Sequence, residues 1–92
     1  MADRPGWTFL SNHAHVLVYL DRYPEARLRD AAAAVGVTER TVNAIVADLV
    51  AAGVVSVTKV GRRNTYRLDT SVRLRHPLEA HTTVGELLRA LS

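Results

Sequence analysis

The chain is 92 residues long, with twelve Lys and Arg against nine Asp and Glu and a formal charge of +3; that length fits one domain, 1–92, with a single modest core. It has no cysteine, which excludes disulfides and thiolate-held metals and is compatible with a reducing cytoplasm. No apolar run approaches the roughly 20 residues of a membrane-spanning helix, and Met1-Ala2-Asp3-Arg4-Pro5-Gly6 leads into no long apolar stretch of a secretory signal.

In chain order, Trp7-Thr8-Phe9-Leu10 precedes a predicted helix capped by Ser11 or Asn12 and running to about Arg22. Ala14, Val16, Leu17 and Leu20 give that helix its apolar face. Tyr23-Pro24 stops it, because the residue before a proline is pushed out of helical geometry. Arg27-Leu28-Arg29 is expected to be a very short strand with Leu28 pointing inward. Ala31 to Val35 supply a short helix, and Gly36 takes the position after its end, where a left-handed backbone costs a residue without Cβ least.

Thr38 can cap the next helix, since its hydroxyl can accept from amides of the first turn. Val42, Ile45, Val46, Leu49 and Val50 recur at three- and four-residue spacing and form one buried stripe. Glu39, Arg40, Thr41, Asn43, Ala44, Ala47 and Asp48 are left facing outward. A short helix, a glycine turn and a second helix with a polar outer face make a helix-turn-helix unit, the arrangement that seats its second helix in the DNA major groove.

Gly53 ends this second helix. Val54 to Val60 is rich in β-branched residues and alternates as a half-buried strand does. Gly61-Arg62-Arg63-Asn64 is expected to be the turn, with Gly61 and Asn64 able to take positive φ, and Thr65-Tyr66-Arg67-Leu68 the returning strand. From Val54 to Asp69, Lys59, Arg62, Arg63 and Arg67 stand against Asp69 alone, so the positive balance is concentrated in a basic hairpin. Charge on a hairpin also serves to prevent edge-to-edge pairing. All but one of the chain's basic residues are Arg, which suits bidentate contacts to phosphate or guanine.

Val72 to Pro77 is expected to be an extended, basic link. Thr83 and Glu86 have capping-box spacing, and a C-terminal helix to about Leu91 presents Val84, Leu87, Leu88 and Leu91 as its apolar side. A helix this short is not stable alone; it must pack on its own domain or on a second subunit.

A helix-turn-helix at about 28–53, a basic hairpin at about 54–69 and a terminal helix at about 83–91 resemble the winged helix-turn-helix transcriptional regulators of the ArsR/MarR-like bacterial group. The resemblance implies an α+β, mostly helical fold: a three-helix core, a β-hairpin wing and an extra C-terminal helix. It implies a cytoplasmic, nucleoid-associated regulator that binds double-stranded DNA, and a homodimer formed through terminal helices with Trp7 and Phe9 as natural partners. Arg40, Thr41 and Asn43 would then face base edges. Arg62 and Arg63, with Asn64 in the wing, would reach phosphates or the minor groove, and Arg29, Thr38 and Arg67 would position the backbone. The alternative is a winged-helix module that binds protein, since fold alone does not decide. Ala44 and Ala47 stand where that pattern commonly carries Arg or Lys, which favours the alternative.

No nucleophile motif, phosphate loop or paired-carboxylate arrangement stands out, so no enzyme activity and no cofactor are expected. His13 and His15 are two apart and would point in different directions on a helix, and His76 and His81 flank a proline, so no metal site is expected. A small-molecule effector is unspecified. A domain of this size is expected to offer room for one, roughly 300 Å³ or more, only at a dimer interface.

Overall fold

The computed structural model describes residues 5–92; Met1 to Arg4, which opened the argument against a secretory signal, lie outside the described residues. Its elements are α1 (Asn12–Arg22), α2 (Leu28–Val35), α3 (Glu39–Ala51), β1 (Val55–Val60), β2 (Arg63–Leu68) and α4 (Val84–Leu91). The result is a small, mostly helical α+β domain of four helices and one two-stranded antiparallel hairpin. Among the described residues no helix is long and apolar enough to cross a membrane. One contiguous core joins α1, α2, α3, the base of the hairpin and α4, with Val16, Leu20 and Val42 completely enclosed.

α1 starts at Ser11, which holds the cap position in extended geometry without a side-chain hydrogen bond. It buries Val16, Leu17 and Leu20 and leaves Ala14 half-buried. The short strand expected at Arg27–Arg29 does not form. Arg27 is the N-cap of α2, and its carbonyl accepts from the amides of Asp30 and Ala31 at 3.0 and 3.2 Å. The good helix formers that follow draw Leu28 and Arg29 into the first turn. What remains of a third strand is one hydrogen bond, from the Tyr66 amide to the Pro24 carbonyl at 2.8 Å. Leu28 still packs against the core, half-buried, from the helix.

Gly36 closes α2 at φ 91°, and the amides of Gly36 and Val37 both return to the Ala32 carbonyl. Thr38 then caps α3, accepting from the Thr41 amide at 3.1 Å. α3 buries Val42, Ile45, Val46 and Leu49. Val50, expected in the same stripe, is exposed. At 100° per residue it lies about 90° off the centre of the buried four, on the edge shared with Glu39 and Asn43.

The hairpin turns on two residues. Val60 pairs with Arg63, so Gly61 and Arg62 alone form the loop, with Gly61 at φ 62°. One glycine at the first central position satisfies a two-residue hairpin. Arg63 and Asn64, expected in the turn, are therefore the first residues of β2, and Asn64 pairs with Lys59. No described non-glycine residue has positive φ. Val55 and Tyr66 bury the base of the hairpin, while Val57 and Val60 are exposed as it projects from the core.

The first part of the Val72–Pro77 link is extended as expected, and it pairs with the residues before α4, while 75–77 bend and turn. Arg73 forms an antiparallel bridge with Thr83, and the amides of Leu74 and Val84 donate to Thr82 and Val72 at 2.9 and 2.8 Å. α4 packs on its own domain through Val84 and Leu88, which are buried. Arg22 of α1 donates to the Leu91 carbonyl at 2.9 Å. Gly85 makes this docking close: its amide donates to the Thr70 carbonyl at 2.9 Å, and a Cβ there would stand 2.9 Å from Thr70 Cβ and 3.1 Å from Thr70 O. Gly85→Ala is expected to destabilise the domain by about 1–3 kcal/mol, as overpacking does, despite the better helix propensity of Ala. Urea unfolding checks the sign.

The capping box is complete. The Thr83 amide and hydroxyl donate to Glu86 Oε1 at 3.0 and 3.1 Å, and the Glu86 amide returns to Thr83 Oγ1 at 3.2 Å. The Thr83 amide, and then its hydroxyl, hold the Glu86 carboxyl below its usual range. A depressed folded-state pKa contributes stability above the unfolded value and loses it as pH falls through the folded one. The start of α4 is therefore expected to fray in acid, as pH falls below the ordinary range of a glutamate carboxyl. Asp69, lowered by the Ser71 hydroxyl and amide, loses its contact in the same direction. Exchange of the Thr83 amide followed by NMR should show the acid step in the native chain and not in Glu86→Gln.

Candidate nucleic-acid interface

The exposed side of α3 has a definite layout. At 3.6 residues per turn, Arg40, Ala44, Ala47 and Ala51 run along the middle of the outward face. Thr41 and Asp48 lie on one flank, and Glu39, Asn43 and Val50 on the other. All nine are exposed. Among the described residues Arg40 has no hydrogen-bonding or ionic partner and is free to extend. The Thr41 hydroxyl accepts from the Thr38 hydroxyl at 2.9 Å, which leaves its own proton for an outside acceptor. The Asn43 amide donates to the Glu39 carbonyl at 3.1 Å, so pairing with a base edge requires it to leave its own helix.

The hairpin residues divide by register. Lys59 and Asn64 share the face of Val55, Tyr66 and Leu68. Arg63, Thr65 and Arg67 line the opposite face with Ser56, Thr58 and Val60. Arg62 stands at the tip. Asn64 reaches toward the Tyr66 hydroxyl at 3.5 Å. Arg29 is exposed in the first turn of α2, and Thr38 at the entrance to α3 is engaged as a cap. Arg40, Thr41 and Asn43 therefore share one helix surface. Arg62, Arg63, Asn64 and Arg67 share one hairpin, on two of its faces and its tip.

Two long-range side-chain contacts could not be read from the sequence. His13 Nε2 lies 2.9 Å from Asp48 Oδ2, joining the first turn of α1 to the Thr41 flank of α3. Arg63 lies 3.6 Å from Glu25, with both side chains well exposed. Glu25 offsets part of the hairpin's positive charge, and Arg62 is the basic residue at the tip without such an acid. Exposed pairs of this kind contribute about 0–1 kcal/mol, so they redistribute charge more than they hold the fold. Each joins residues more than thirty positions apart, and no spacing rule signals that.

Two of the other histidines, His15 and His76, are engaged locally. His15 lies 3.2 Å from Asn12 Oδ1, and His76 Nδ1 accepts from the Leu78 amide at 3.1 Å. Among the described residues no three His, Cys, Asp or Glu side chains gather as a metal site. An open groove of about 710 Å³ lies between the N-terminal segment, α1 and the end of α4, lined by Trp7, Leu10, Val18, Tyr19 and Leu91. It is an open surface groove rather than an enclosed pocket, and Trp7 and Phe9 at its N-terminal side are exposed, in an edge-to-face pair at 4.9 Å. No protein-family model matches the chain, and no curated protein matches it.

Proposed function

We propose that this chain is a sequence-specific, double-stranded DNA-binding transcription regulator of the winged helix-turn-helix kind. In this reading α2, the Gly36 turn and α3 are the reading unit, and the β1–β2 hairpin is the wing. The observation that carries it is the pairing of two free arginines on projecting surfaces: Arg40 on the middle line of α3 and Arg62 at the hairpin tip. Arg40, Thr41 and Asn43 would address base edges. Arg62, Arg63 and Arg67 would address phosphates or the minor groove, with Asn64 beside them. Arg29 and the Thr38 end of α3 would set the backbone in register. Such a regulator works in the cytoplasm, on the nucleoid.

A homodimer built on the Trp7–Leu20 segment and α4 belongs to the same proposal. The exposed Trp7–Phe9 pair supports it. Leu88 is not a probe of that dimer, because it is buried within its own domain. If both copies bind as helix-turn-helix dimers do, their half-sites lie roughly 34 Å apart, or a multiple of that.

The test is a mobility-shift titration on mixed-sequence duplex at low and moderate salt, with sedimentation at micromolar concentration alongside. The proposal requires salt-sensitive retardation and a species of twice the chain mass. A second reading, a winged-helix module that binds protein, is favoured by Glu39, Ala44, Ala47 and Asp48 on the same outward face. It takes first place if no duplex is retarded at low salt.

A further inference from the structure

A contact that shapes the α3 face comes from outside α3. Asp48 sits on the same flank as Thr41, and its carboxylate would meet any phosphate strand that follows that flank. Two unit charges of like sign at contact distance in water repel by an amount worth roughly fivefold in affinity. His13 answers that charge from α1: its Nε2 stands 2.9 Å from Asp48 Oδ2, with the imidazole 49% and the carboxylate 65% accessible. Among the described residues nothing else hydrogen-bonds the Asp48 side chain. The pair lies at the surface, on the edge of the outward face, and fills no gap in the core.

We infer that His13 is a positioning residue of the DNA-facing surface: its ring N–H holds the Asp48 carboxylate against α1 and off the path of the phosphate backbone. The inference rests on the DNA-binding reading of α3. It brings α1 into the interface without requiring α1 to touch nucleic acid. It also accounts for an acid at the edge of a helix that must lie beside phosphates. The donor is the working part, so a side chain that places an N–H at similar reach can replace it, and Gln does so.

The experiment is fluorescence anisotropy on a mixed-sequence duplex of roughly 25 base pairs at about 50 mM salt, where phosphate contacts dominate. Thermal unfolding of each variant is measured in parallel. His13→Ala is expected to weaken binding by up to about fivefold by freeing the carboxylate, and His13→Gln to retain the native affinity. Asp48→Asn should bind as tightly as the native chain or tighter. The double variant His13→Ala/Asp48→Asn should recover the affinity of Asp48→Asn, since the anion that His13 restrained is gone. If His13 only supported the fold, the affinity loss would follow the melting temperature and Asp48→Asn would not rescue it. An unrescued double variant, or an unchanged His13→Ala, overturns the inference while native binding stands. Absence of binding by the native chain overturns the DNA reading, and the positioning role with it.

Discussion

Replacing Arg62 and Arg63 together with Ala is expected to weaken binding to every duplex, whatever its sequence, and to flatten the salt dependence. Each phosphate neutralised by a basic side chain releases condensed counterions and contributes about 0.9 to the slope of log K against log salt. Two such contacts give a fall of roughly 1.8 in that slope. The structure separates the two residues. Arg62 stands at the two-residue loop without an acidic neighbour, whereas Arg63 lies 3.6 Å from Glu25 and must exchange that carboxylate for a phosphate. Arg62→Ala alone should therefore remove at least half of the effect. Glu25→Gln should strengthen non-specific binding, because it frees Arg63 before the encounter. A slope unchanged in the double variant would remove the hairpin from the interface.

That asymmetry between neighbouring arginines marks where the sequence stopped being legible. Local rules located α3 well: Thr38 as cap, Val42, Ile45, Val46 and Leu49 as the inward stripe, and the outward set from Glu39 to Asp48, erring only in adding the exposed Val50 to the stripe. They succeeded because capping and helical periodicity act over three or four residues. The capping box of α4 was read for the same reason. Arg27–Arg29 was misread because a third strand is a tertiary matter. With Pro24 already bonded to Tyr66, the chain could enter α2 directly. Arg63 and Asn64 were misplaced because a single glycine sufficed for the turn, and β2 began two residues earlier than the apolar alternation suggested. The α4 docking surface was left open between self and partner. Within the chain α4 docks through Val84, Leu88 and the close approach of Gly85 to Thr70, a contact that no periodicity encodes. His13 on Asp48 and Glu25 beside Arg63 were illegible for the same reason: each joins side chains more than thirty positions apart.

Arg40→Ala is expected to relax sequence preference while leaving non-specific affinity within severalfold. Arg40 is the one long polar side chain on the middle line of α3, where Ala44, Ala47 and Ala51 follow it. Those alanines offer at most methyl contacts to thymine, so direct readout falls on few base pairs. A guanidinium paired bidentately with guanine discriminates by about 1–3 kcal/mol, which is the preference that its removal should erase at one position. Asn43 contributes less than its type suggests, because its amide is already bonded to the Glu39 carbonyl at 3.1 Å. Pairing with adenine replaces that bond rather than adding to it. The remaining specificity would come from DNA shape sensed by the hairpin. Selection from a randomised duplex pool, with the native chain and with Arg40→Ala, reads this directly. A guanine enriched by the native chain should lose its enrichment while the overall salt slope falls by no more than about 0.9, the contribution of one phosphate. Ala44→Arg should act the other way, strengthening binding to many sequences through an added backbone contact. If the motif selected by Arg40→Ala matches that of the native chain, α3 does not read the bases, and its mixed-charge face is better explained as a surface for protein.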